Sequence, residues 1–169
     1  MPDVEADALR TAGDSGDDLI ELLFFAYRDF VGDPDRILAQ YGFGRAHHRV
    51  LHFVDRYPGL TIAELLDILR ITKQSLNRVL KDLIGQGYIT QKTGTSDRRQ
   101  RLLFCTAAGT ALAGDLIRVQ SRRVARALAD SEIGRENPLS AESFLFGMIE
   151  PEERAAVRRL MARRVRSAA

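Results

Sequence analysis

Between Pro58 and Cys105 the sequence punctuates itself into short elements whose order few folds accept. Thr61 followed three residues later by Glu64 is a capping-box pattern, in which each side chain satisfies a backbone N–H that the first helical turn leaves unpaired. Ile62, Leu65, Leu66 and Leu69 then line one helical face. Arg70 and Ile71 form a turn, Thr72 caps again, and a second helix to about Gly85 sets Leu76, Val79, Leu80 and Leu83 inward. Gln74, Asn77, Arg78 and Lys81 are left pointing outward. Gly85 and Gly87 close this helix, and Tyr88–Lys92 and Arg101–Cys105 read as short strands joined by a polar loop from Thr93 to Gln100.

Helix, tight turn, helix and basic hairpin make a winged helix-turn-helix, whose second helix presents its free face to a DNA major groove. The side chains on that face suit base edges: Gln74 and Asn77 match adenine, Arg78 matches guanine, and Ser75 suits either. Lys73 and Lys81 flank them where phosphate contacts set register. An ordinary solvated helix face would mix Glu with Lys. The competing readings are an uncommitted helical bundle and a winged-helix module serving protein interaction without specific DNA binding, and both leave this stripe unexplained.

The flanking sequence is helical and unevenly charged. The chain has 169 residues, 45% of them hydrophobic, and a net charge of only +2, so one domain with a real core is expected. That near-neutral total hides a net −6 over residues 1–21, +6 over 70–101 and +4 over 151–169. The central basic block is the footprint of a nucleic-acid surface. Residues 1–16 read as an acidic, disordered N-terminus, with Ser15 and Asp18 as the cap of a first helix. That helix, from Leu19 to Phe30, is apolar nearly all round, which in so small a chain calls for cover by a partner subunit. Gly32, Asp33 and Pro34 end it; another helix runs from about Arg45 to Arg56, and Pro58 and Gly59 stop that one. Beyond the hairpin, Thr106 caps a long Ala-rich helix to about Ala129. Short and final helices follow from about Ser140 and Pro151. Dimerisation is therefore assigned to 17–44 and 107–169, and the winged lobe to 45–106. With one cysteine no internal disulfide forms, no apolar run of about 18 residues can span a bilayer, and the acidic start is not a secretory signal. The expected compartment is the cytoplasm.

Several segments together resemble the MarR family of transcriptional regulators: Gln74-Ser75-Leu76-Asn77-Arg78, Gly87-Tyr88-Ile89, Asp97-Arg98-Arg99 and Thr106-Ala107-Ala108-Gly109. Upstream, His47-His48-Arg49-Val50-Leu51 and Pro58-Gly59-Leu60-Thr61-Ile62-Ala63-Glu64-Leu65 are similar to that family's second and third helices. Asn77 stands where Thr is common. The resemblance implies a mostly α protein with a small β-hairpin wing, a homodimer built by the first and last helices, and a repressor of a pseudo-palindromic operator on double-stranded DNA. Helix 72–85 would enter the major groove, and the wing over 92–101 the minor groove through Arg98 or Arg99. Asp97 would orient an arginine, while Lys92 and Arg101 are assigned to the same interface. Arg101 also fits a solvent-facing strand position.

Other residues could sense a signal. By the resemblance, a small ligand would sit between the dimer region and the winged module. His48 and His52 lie four apart on one helical face with His47 adjacent, a spacing that could hold a metal only with acids from elsewhere. The favoured reading is a polar pocket wall for a small-molecule effector, and no metal is assigned. Titration of these histidines would make binding pH-sensitive between pH 6 and 8. Cys105 reads as a core residue, without a resolving partner for a redox switch. Arg118, Arg122, Arg123 and Arg126 and the arginines of the final helix read as solvated faces or as partners for acids, the acidic N-terminus being one candidate partner. No phosphate loop, nucleophile motif or cofactor signature is present, so neither an enzyme nor a bound cofactor is expected.

Overall fold

The computed structural model describes the backbone of residues 3–94, 97–131, 137 and 139–167, and the side chains of those between 16 and 163. Its elements are α1 (Asp3–Ala39), α2 (Arg45–Arg56), β1 (Leu60–Thr61), α3 (Ile62–Leu69), α4 (Lys73–Gly85), β2 (Ile89–Thr93), β3 (Arg101–Cys105), α5 (Ala107–Asp130), α6 (Leu139–Gly147) and α7 (Pro151–Ser167). Fold class and element order agree with the sequence reading: helices around a small antiparallel wing. The three strands lie in the order β1-β3-β2, with Ile89 opposite Cys105, Thr93 opposite Arg101 and Leu60 opposite Leu103.

The first helix departs from expectation at both ends. It begins at Asp3, so the backbone of the segment expected to be disordered is helical and Ser15 lies within the helix instead of at its start. It also runs through Gly32, Asp33 and Pro34 to Ala39. A proline inside a helix removes one N–H and strands the carbonyl four residues earlier. Here that carbonyl, on Phe30, accepts a hydrogen bond from the Gln120 side chain at 3.5 Å. Asp33 accepts from Arg123 Nε and Nη2 of α5 at 3.1 and 2.7 Å, while Pro34 and Leu38 are fully buried. Packing on α5 thus carries the helix past residues that would end an isolated one.

One hydrophobic core joins the winged lobe to its neighbours. Leu51, Val54, Leu65, Leu76, Leu80, Leu83, Ile89 and Leu103 form its centre, with Leu38 and Phe43 entering from the α1 side and Leu112, Ala113 and Leu116 from α5. The two-residue strand β1 escaped the sequence reading because nothing local marks it. It is created when Gly59, at φ +86°, turns the chain so that its N–H reaches the Leu103 carbonyl at 2.8 Å. Strand β2 starts at Ile89, not Tyr88, because the Tyr88 carbonyl accepts the Thr106 N–H at 3.0 Å and so belongs to the turn that starts α5.

Candidate nucleic-acid interface

Helix α3 is held at its start as the sequence reading requires. The Glu64 N–H bonds Thr61 Oγ1 at 3.1 Å, and the Thr61 N–H bonds Glu64 Oε2 at 2.8 Å. Its end is less ordinary: Arg70 takes a left-handed conformation, φ 51° and ψ 45°, and its N–H bonds the Leu66 carbonyl. A side-chain-bearing residue there carries strain on the order of 1 kcal/mol, and that turn aims α4. Thr72 Oγ1 accepts the Ser75 N–H at 3.1 Å and lies 2.9 Å from the Ser75 hydroxyl, so Ser75 sits in the cap rather than free on the outer face.

On α4 the residues divide as the periodicity demands. Leu76, Val79, Leu80 and Leu83 are buried, and Lys73, Gln74, Ser75, Asn77, Arg78 and Lys81 are exposed. Asp82 lies four residues after Arg78, one helical turn on, where it could neutralise that guanidinium. Instead its carboxylate accepts the Nε2–H of His47 on α2 at 3.1 Å, while His47 Nδ1 accepts the Gly44 N–H at 3.2 Å. Among the described residues none forms an ion pair with Lys73, Arg78 or Lys81. His47 therefore does something its sequence context concealed: it braces α4 through Asp82. Arg49, also missed, braces α3 by donating to the Leu69 carbonyl at 2.8 Å. Both are long-range contacts with no periodic or motif signal.

The wing keeps its basic residues on the surface. Lys92, Arg98, Arg99 and Arg101 are all exposed. Asp97 accepts the backbone N–H of Arg99 at 2.9 Å, so it shapes the tip through the main chain rather than through a guanidinium. The Gly94 N–H bonds the Gln100 carbonyl across the loop at 3.0 Å, and a Cβ on Gly94 would stand 2.7 Å from the Asp97 carbonyl oxygen. Two wing cations have intramolecular partners: Lys92 Nζ lies 4.9 Å from the centre of the Phe104 ring, and Arg101 Nη1 donates to Thr93 Oγ1.

His48 and His52 line a cavity of about 340 Å³ with Tyr27, Phe30, Arg45, Phe53 and Gln120, between α1, α2 and α5. His47 points away from it. Burial lowers both pocket imidazoles below their ordinary pKa, His52 to about 4, where Arg56 and His48 lower it further. His52 therefore stays uncharged between pH 6 and 8, contrary to the sequence expectation for that residue. Among the described residues no group of three or more His, Cys, Asp or Glu is placed to hold a metal. Unfolded, His52 takes up a proton near its ordinary 6.5; folded, only near 4. Between these values the unfolded state binds more protons, so this contribution to stability is complete above about pH 6.5 and is lost as pH falls toward 4. Lowering the pH from 7 to 5 is expected to cost about 1 to 2 kcal/mol through this group. Urea unfolding at the two pH values, with His52→Gln as control, checks it: the loss shrinks in the variant.

Burial pushes the Cys105 thiol up to about 12, and Leu103, two residues before it on the same strand, belongs to the core. A thiol so protonated is a poor nucleophile. Modification by a thiol reagent at pH 8 is expected to be about 100-fold or more slower in the folded protein than in urea. Equal rates would restore a redox role to this residue.

Comparison with known proteins decides the family. Residues 41–100, from the turn after α1 to the end of the wing loop, match the model of the MarR family. The HTH-type transcriptional regulator PetP of Rhodobacter capsulatus is 44% identical over 135 residues, which cover 80% of each chain. This chain belongs to the MarR family. Solved MarR structures share its architecture. FabT of Streptococcus pneumoniae, determined in complex with DNA, is 17% identical and superposes with a TM-score of 0.68, covering 78% of this chain and 94% of that one. A MarR-family protein of Mycobacterium tuberculosis, in complex with p-aminosalicylic acid, is 25% identical with a TM-score of 0.55, covering 76% and 98%. No described helix of this MarR-family chain is long and apolar enough to cross a membrane.

Proposed function

We propose how this chain, a DNA-binding transcription regulator of the MarR family, engages its operator. A homodimer lays one α4 in each of two major-groove half-sites about one helical turn apart. Gln74, Asn77 and Arg78 read bases, Lys73 and Lys81 hold phosphates, and Ser75 contributes from the capped first turn. Arg98 and Arg99 enter the minor groove at the tip shaped by Asp97, with Lys92 and Arg101 at the wing's base. The observation that carries this reading is the unpaired stripe on α4, mounted rigidly because its opposite face is core.

Dimerisation is supported by α1, where Leu19, Leu22, Phe24 and Phe25 are about half or more exposed, and by Leu139, Phe144 and Leu145 of α6. Such continuous apolar surface is rare on a monomer, and a second copy supplies the cover. Occupancy of a promoter by this dimer represses by exclusion, in the cytoplasm and without catalysis. The cavity walled by His48 and His52 takes a small effector that resets the spacing of the two α4 helices.

Selection of the purified protein against random duplex DNA tests the reading. The expected winner is a pseudo-palindrome whose affinity falls steeply with salt as condensed counterions are released. Weak binding with no enrichment would favour a winged-helix module with a protein partner.

A further inference from the structure

Where α1 runs on past Pro34 it meets α5 across a groove of about 350 Å³. Ile37 of α1 and Val119 of α5 give the groove its apolar walls, and Arg36, Arg122 and Arg126 line it with Gln40. None of these residues lies on α4 or in the wing, and none lines the histidine-walled cavity. The charges around the groove do not balance. Asp33 is the one acid in its lining, and that carboxylate is already engaged: Oδ2 accepts Nε and Nη2 of Arg123 at 3.1 and 2.7 Å, while Oδ1 pairs with Arg36. Arg123 through these hydrogen bonds, then Arg36 and Arg126 through their charge, hold the Asp33 carboxyl below the usual carboxylate range. Four guanidiniums thus stand around a single carboxylate.

Other acids of the two helices give no relief. Asp29, Asp35 and Asp115 pair with Arg28, Arg45 and Arg118. Asp130 lies one turn beyond Arg126, yet among the described residues neither Arg122 nor Arg126 forms an ion pair. These two arginines are four residues apart, about 6 Å along the α5 axis, and like charges at that spacing repel. The planar guanidinium presents its donors in a fork that matches a phosphate, and Arg36 keeps donors free beyond the one on Asp33. Gln40 can add a neutral amide donor. Several cations without counter-charge call for a ligand with more than one negative charge, and the volume, near the lower end of small-molecule sites, keeps it small. We propose that this groove binds a small phosphate-bearing anion of two or more charges, clamped between Arg36 of α1 and Arg122 and Arg126 of α5. Its occupant ties the end of α1 beyond Pro34 to α5, replacing repulsion between their arginines by attraction to a shared anion.

Isothermal titration of pyrophosphate into the full-length protein, at constant ionic strength in chloride, tests the proposal. Saturable binding of one pyrophosphate per chain is expected. Arg122→Gln and Arg126→Gln, both at exposed positions, should each weaken it about fivefold or more with unchanged circular dichroism. Lys81→Gln removes a cation outside the groove, whose charge the salt screens, and should leave binding within about twofold. Because a ligand that binds only the folded chain stabilises it, saturating pyrophosphate should also raise Tm in the wild type and not in the double α5 variant. Absence of saturable binding would overturn the proposal, including the case in which acids of a second copy fill the groove. Binding lost in Lys81→Gln but kept in both α5 variants would put the anion on α4 and overturn it as well. Equal weakening by all three substitutions would reduce the effect to the general charge of the protein and would equally refute the site.

Discussion

Arg78→Ala is expected to weaken binding of the selected operator by about 2 to 6 kcal/mol, because a dimer loses one bidentate base contact of about 1 to 3 kcal/mol in each half-site. The loss should fall on one base position per half-site: operators already altered there should be bound almost equally by wild type and variant. Lys81→Ala should behave differently, weakening all duplexes alike and reducing the salt slope by about one for each phosphate that is no longer neutralised. Fluorescence anisotropy on the operator, its single-base variants and random DNA over a salt series separates the two. Equal losses on every duplex would show that α4 does not read bases. The same helix yields a subtler result. His47→Ala releases Asp82, which can then pair with Arg78 one turn before it. Operator affinity is expected to drop several-fold although His47 faces α4 from the protein side, and restoring it with His47→Ala/Asp82→Asn would show that the histidine acts through the acid.

Gly109→Ala is expected to destabilise the fold by about 3 kcal/mol or more, above the usual cost of an inserted methyl group in a packed site. A Cβ there would stand 2.0 Å from the Tyr88 carbonyl oxygen, 3.0 Å from its carbon and 3.2 Å from Cys105 Cβ. The obstacle is backbone and cannot swing aside. Thr106 fixes it: its Oγ1 donates to the Gly87 carbonyl at 2.6 Å and accepts the Gly109 N–H at 3.1 Å, pulling the first turn of α5 onto the start of the wing. In a chain of this size the melting temperature should fall by roughly 6 °C or more. Gly114 lies on the same helix, and a methyl group there would meet nothing within 4 Å, so Gly114→Ala should be neutral or raise stability by up to about 1 kcal/mol. Thermal unfolding followed by circular dichroism measures both, and similar melting temperatures for the pair would refute the close approach at Gly109.

The two glycines show where local reading stops. Both interrupt an Ala-rich helical pattern, and neither breaks the helix. Which of them is indispensable depends on Tyr88, which reaches Gly109 only through the hairpin. The winged lobe was legible because its information is local. A Thr cap, a turn, a 3.6-residue apolar period and a two-residue strand alternation involve side chains a few positions apart, and they placed α2, α3, α4 and β3 at their observed bounds to within a residue. The same locality identified the α4 stripe, since a buried face defines its opposite.

Where an interaction spans tens of residues, the sequence alone was silent or misleading. Pro34 ends a helix by every local rule, yet α1 continues because Gln120 and Arg123 of α5 supply partners to Phe30 and Asp33. His47 looked like one of three clustered histidines, but its ring turns to Asp82, while His48 and His52 turn to a pocket where burial lowers their pKa. Nothing in the sequence showed that Arg49 would reach the Leu69 carbonyl or that Arg70 would pair with Glu153. Sequence by itself determined which helix presents a free polar and basic face and with what side chains, because periodicity and capping are properties of neighbouring residues. Tertiary structure alone decided which of those charges stay unpaired, which histidines have their pKa lowered by burial and where arginines of α1 and α5 gather, because pairing, desolvation and grooves depend on segments that meet only when the chain is folded.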